Sequence, residues 1–159
     1  MTDPAEAAAE AIIGLYSRHA DDWARMRDGP PTADERPHLE RYAAALPEGA
    51  EVLDLGRRFD GVVAWFSVFH LTAEAQDAMA AVYARHLRPG GVLMFIGGPS
   101  RGVAMGTWME QPLYHASLEP SEYRAGLEQA GLIDIEEAPL KSGTDDPARV
   151  WTARRSVSD

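Results

Sequence analysis

The 159-residue chain contains no cysteine, so disulfides, thiolate metal sites and cysteine nucleophiles are excluded. No apolar run approaches the ~18 residues of a membrane-spanning helix. The N-terminal "MTDPAEAAAE" is acidic and alanine-rich, where a signal peptide would begin basic. A cytoplasmic protein with no membrane partner is expected. Positive charge is scarce: 15 Lys and Arg stand against 25 Asp and Glu, giving a formal charge of −10. The pairs Arg57-Arg58 and Arg154-Arg155 make no basic stripe, which argues against a nucleic-acid partner. No histidine pair has metal-ligand spacing, so no metal is expected, and no Ser-His-Asp arrangement follows from residue order. What is present is a globular composition, 45% hydrophobic and 25% charged, in a length that suits one domain. There is no internal repeat.

Asp3-Pro4-Ala5-Glu6 combines a capping residue, a proline at the first helical position and a glutamate three residues after the cap. A helix is predicted from there to about Arg27, with Ile12, Leu15, Tyr16, His19, Trp23 and Met26 on one face. A shorter helix follows Pro37, carrying Leu39, Tyr42, Ala43 and Leu46 inward, and a turn covers 47–50. Two strand-like runs come next, 52–55 and 62–66, around a polar joint at 56–60; both are too apolar for a half-exposed sheet. Thr72 is a good N-cap for a helix reaching His86. "LRPGG" then turns the chain into a buried strand at 92–96. The segment 97–111, with four glycines, a proline, Met105, Trp108 and Met109, is expected to be a mobile, partly apolar cover for a site. Pro120 begins a helix that Gly131 ends. Strands at 132–140 and 149–154 follow, and their short connection makes them antiparallel neighbours. The layout is α/β: a mainly parallel sheet, helices on both faces and an antiparallel C-terminal hairpin.

The runs "EVLDLG", "FDGVVAWFSVFHL" and "LRPGGVLMFI", in that order before the closing hairpin, resemble class I S-adenosylmethionine-dependent methyltransferases of the bacterial small-molecule type. "LYSRHADDWARMR" is similar to the lid helix such enzymes place before their first strand, and "EYRAGLEQAGL" to a helix near their C-terminal end. The resemblance covers nearly the whole chain. It implies a Rossmann-like sheet, S-adenosylmethionine as cofactor, and methyl transfer to a small molecule. It also implies one methyltransferase-like domain over 1–159, with lid helices in 1–47 and an α/β core in 51–159.

The resemblance has one gap, and it falls at the cofactor site. Family members follow the first strand with further glycines, a helix and a second strand ending in an acidic residue. Here Gly56 leads directly into Arg57-Arg58-Phe59-Asp60, the approach to the family's fourth strand, so about two strand-helix units, roughly sixty residues, are absent. The seam at 56–60 predicts weak or absent cofactor binding and puts the activity of the truncated chain in question. It is also too short for a parallel crossover, which needs a dozen or more residues. By the resemblance, Tyr16, Asp54, Gly56, Trp65, Phe66 and Ser67 are the candidate cofactor-binding residues. His70 and His115 are the candidate catalytic residues, because an imidazole titrating near neutrality can take a proton from an oxygen or nitrogen acceptor. Two alternatives stay open. Loss of two strands would expose the apolar edge of "GVVAWFSVF", making the chain a non-catalytic, homodimerising interaction module; or a partner chain completes a split enzyme.

Overall fold

The computed structural model describes residues 7, 11, 14–15, 18–27, 31–50, 58–140 and 148–157. Residues 7, 11, 14, 15 and 18 are helical and lead into α1 (Ala20–Arg27); α2 (Arg36–Ala44) follows. The core begins with β1 (Phe59–Ala64) and a single 3₁₀ turn (Val68–His70), then α3 (Ala73–His86) and β2 (Leu87–Gly97). β3 (Gly102–Trp108), β4 (Gln111–Ser117), α4 (Pro120–Gln129), β5 (Leu132–Pro139) and β6 (Arg149–Arg155) complete it.

The main sheet has the order β1-β2-β6-β5. β1 and β2 are parallel, with α3 as their crossover, whereas β6 runs antiparallel to both β2 and β5. The closing antiparallel pair is therefore as expected. The "LRPGG" turn enters this pairing as a bulge: Phe59 pairs with Leu87, Gly61 already pairs with Val92, and Gly90 takes φ 79° to allow it. β1 also starts earlier than the apolar run, since Phe59 is buried and Asp60 pairs with Arg88 at 2.6 Å.

Alternation along β2 sorts its side chains between two cores. Leu93 and Phe95 join Val62, Trp151 and Ala153 beneath α3 and α4, where Tyr83, Tyr123 and Leu127 are buried. Val92, Met94 and Ile96 point to the opposite face, which α2 covers through Tyr42 with Leu39 and Leu46 beside it. Ala43, expected inward, is exposed. Helices on both faces explain why residues 91–97 are buried without interruption. Two helix signals act as expected: Thr72 Oγ1 accepts the Ala75 amide at 3.2 Å, and Gly131 leaves α4 at φ 78°; Glu119 and Glu122 add a capping box. No helix among the described residues is long and apolar enough to cross a membrane.

Within the segment 97–111, expected to cover a site, residues 102–108 form a strand. β3 and β4 form a separate two-stranded hairpin, paired from Gly102↔Ser117 to Trp108↔Gln111. Its two-residue turn, Met109 (φ 49°) and Glu110 (φ 59°), has the left-handed backbone that matches strand twist. At the tip, the Trp108 ring meets His19 edge-on at 5.6 Å, so the hairpin touches the N-terminal helical region.

Candidate functional site

Because β1 and β2 are parallel, their carboxyl ends share one edge of the sheet, the edge at which α/β folds place ligands. A cleft of about 550 Å³ opens there. It is lined by Phe66 and Phe69, just beyond β1, by Gly97 and Gly98 at the end of β2, and by Ala104 and His115 of the hairpin. The glycines are required by close packing. A Cβ on Gly97 would stand 2.9 Å from the Tyr123 ring, and one on Gly98 would stand 2.4 Å from Ser117 Oγ.

The chain leaves β1 through a strained residue. Phe66 has φ 49°, a left-handed conformation that a bulky side chain rarely adopts. The bend aims neighbouring side chains apart. Phe66 enters the cleft, whereas Trp65 donates its Nε1–H to Glu35 Oε1 at 3.1 Å, and Ser67 is exposed. Backbone strain of this kind collects at ligand sites, and here it lies where the strand meets the cleft.

The 3₁₀ turn then presents Phe69 and His70. Phe69 lies 6.1 Å from Phe66, 4.8 Å from His70 and 5.2 Å from His115, between ring centroids. The two histidine rings are 5.0 Å apart. Each uses Nδ1 as a donor to a main-chain carbonyl: His70 to Tyr114 at 3.0 Å and His115 to Leu113 at 3.2 Å. A neutral imidazole with its proton on Nδ1 carries its lone pair on Nε2. Burial lowers the pKa of both below the ordinary histidine value, and for His70 the adjacent His115 adds to the effect, so both rings are neutral at pH 7.

β4 is anchored behind the cleft by a buried polar network. Gln76 of α3 donates to the carbonyls of Ala116 (2.8 Å) and Leu71 (3.0 Å), and its Oε1 accepts the Tyr123 hydroxyl at 2.5 Å. The same hydroxyl accepts the Leu118 amide at 3.3 Å. His115 thus sits on a strand whose backbone is fixed to both covering helices.

Of the residues anticipated from sequence, Phe66, His70 and His115 come together, although only Phe66 and His115 line the cleft itself. Trp65 turns away and Ser67 faces solvent. Tyr16, Asp54 and Gly56 lie outside the described residues. Phe69, Gly97 and Gly98 were not anticipated as site residues.

The lining can be compared with what S-adenosylmethionine requires. That molecule presents an ammonium, a carboxylate and a ribose diol, yet among the described residues no Asp, Glu, Lys or Arg lines the cleft. The described part of the lining therefore supplies no charged partner for those groups; Asp54 and Gly56, the candidates for that role, lie outside the described residues. Nor do the described residues include a group of three or more His, Asp or Glu able to hold a metal ion.

No protein-family model and no curated protein matches the chain. Solved structures do. Over 98% of its length it is similar, at 18% identity and a TM-score of 0.64, to a 1,6-didemethyltoxoflavin-N1-methyltransferase from Burkholderia thailandensis, bound to 1,6-didemethyltoxoflavin and S-adenosylhomocysteine. It spans 92% of that chain. A glycopeptide N-methyltransferase, MtfA, complexed with S-adenosylhomocysteine, is matched over 65% of this chain at 18% identity and TM-score 0.50. An S-adenosylmethionine-dependent methyltransferase from Methanosarcina mazei is matched over 66% at 12% identity and TM-score 0.51. The chain spans 57% and 64% of those two, less than two thirds of either. The fold is that of class I S-adenosylmethionine-dependent methyltransferases, with strand pairing and layers as described above.

Proposed function

We propose that this is a small-molecule methyltransferase-type protein, acting in the cytoplasm, that keeps the methyl-acceptor side of the site and binds S-adenosylmethionine weakly or not at all by itself. The observation that carries this reading is the described lining of the cleft: aromatic rings, bare glycines and a neutral histidine, with no charged side chain among the described residues. The shared fold supports the methyltransferase half of the reading. The gap in sequence supports the other half, because with β1 starting at Phe59 only residues 56–58 separate "VLDL" from the strand. Two strand-helix units cannot be housed there. In this reading His115 contacts the acceptor and His70 holds the backbone beside it. Calorimetric titration of the isolated chain with S-adenosylhomocysteine tests the proposal. No saturable heat is expected in the micromolar range; a low-micromolar Kd overturns it.

A second reading follows from β1. It is the edge of the four-stranded sheet, pairing only with β2 among the described residues. An apolar edge strand is a template for another chain. In this reading the chain is a homodimer, and either an interaction module or a split enzyme whose cofactor side a partner completes. Light scattering at tens of micromolar is expected to give a dimer, and a monodisperse monomer contradicts it. Cofactor retained only by the dimeric fraction would select the split enzyme.

A further inference from the structure

We infer that the cleft selects neutral, planar aromatic molecules bearing an N–H or O–H donor, and that His115 Nε2 is the atom that reads the donor. This deepens the acceptor-side reading and rests on it. Phe66 and Phe69 stand 73° apart in plane, so a flat ring laid on one meets the edge of the other, the two favoured aromatic contacts. Gly97 and Gly98 line the cleft with backbone alone, and a Cβ on either would collide with Tyr123 or Ser117. A volume of about 550 Å³ lies within the usual range of small-molecule sites. A charged ligand would lose hydration there without gaining a counter-charge from the described residues of the lining.

The direction of the polar contact is set by the hairpin. His115 Nδ1–H is committed to the Leu113 carbonyl, so the neutral ring offers an acceptor and no second donor. The ring is held in place by Phe69 and His70 on one side and by Gly106 behind it, where an added Cβ would approach to 3.3 Å. The Ser117 hydroxyl, which also lines the cleft, donates to the Leu118 carbonyl and so, like His115, offers a ligand only an acceptor. A ligand without a donor would bury Nε2 unpaired, and sites of this kind reject such analogues more strongly than they reject a missing methylene.

Matched pairs test the inference on the full-length protein: indole against 1-methylindole, and 2-naphthol against 2-methoxynaphthalene, titrated into labelled protein at about pH 7.5 and followed by amide chemical shifts. The donor-bearing member of each pair is expected to bind on the order of tenfold more tightly, with shifts at Phe66, Gly98 and His115. His115→Leu should erase the difference, and His115→Gln, whose amide oxygen accepts, should restore part of it. Equal affinities within both wild-type pairs, with shifts still at the cleft, would overturn the donor selection and leave the acceptor-side reading intact. No shift at the cleft with any of the four compounds would overturn both. The wild-type comparison decides the matter even if a variant fails to fold.

Discussion

Two buried tyrosines make opposite predictions for removal of the same atom. The Tyr123 hydroxyl donates to Gln76 Oε1 at 2.5 Å and accepts the Leu118 amide at 3.3 Å. The Tyr83 hydroxyl is equally buried, in the same aromatic cluster around Phe95, but has no hydrogen-bond partner among the described residues. Tyr123→Phe keeps the ring and orphans two buried groups, each at a cost of about 1–3 kcal/mol, so a loss of roughly 2–6 kcal/mol is expected. Tyr83→Phe removes a desolvated hydroxyl that gains nothing in return, and stability should be unchanged or rise by up to about 1 kcal/mol. Urea unfolding followed by circular dichroism measures both, and the slopes should match wild type because neither change alters the area buried. In thermal melts the two variants should differ by about 10 °C, at roughly 2–4 °C per kcal/mol for a domain of this size. Equal shifts for the two variants would refute the reasoning. So would unaltered hydrogen-exchange protection of the Leu118 amide in Tyr123→Phe.

Gly97→Ala should cost about 1–3 kcal/mol by overpacking, since its Cβ would lie 2.9 Å from the Tyr123 ring; a denaturation midpoint equal to wild type would contradict the close approach. The double variant Met109→Asn, Glu110→Gly places residues that favour left-handed backbone where φ is 49° and 59°, and should raise thermal stability by about 1 kcal/mol. Acid should destabilise the fold beginning near pH 6.5. His38, lowered by burial and by Arg41, and the buried His70 and His115 all have folded pKa values below the ordinary 6.5. Between the folded and unfolded values the unfolded chain binds more protons, so stability is complete above about 6.5 and is lost as pH falls through the folded pKa values. Urea midpoints measured across that range should decline less steeply in a His70→Gln, His115→Gln variant; identical slopes would exclude the pair as the source.

The parts of the fold legible in the sequence were those governed by local signals. Thr72, Pro120 and Gly131 marked the ends of α3 and α4, and continuous apolarity marked β2 as covered on both faces. The β3-β4 hairpin was hidden because its strands lack a clean alternation and its turn is Met-Glu, where Asn-Gly would have announced it. The site was half legible for the same reason. His70 and His115 were each visible as chemistry, but their 5.0 Å proximity depends on docking that hairpin against the 3₁₀ turn, forty-five residues away in sequence. The opposite fates of Trp65, Phe66 and Ser67 depend on one left-handed residue, a backbone feature that a bulky side chain gives no sign of in advance.

The central claim is that the chain keeps an aromatic acceptor cleft without the means to hold the cofactor. Its most direct test is a chemical-shift titration of one labelled sample, first with S-adenosylhomocysteine to about 1 mM and then with 2-naphthol, reading Phe66, Gly98 and His115. The predicted result is no saturable shift with the first compound and a saturable one with the second. Saturation by low-micromolar S-adenosylhomocysteine, or a cleft unresponsive to both, would contradict it.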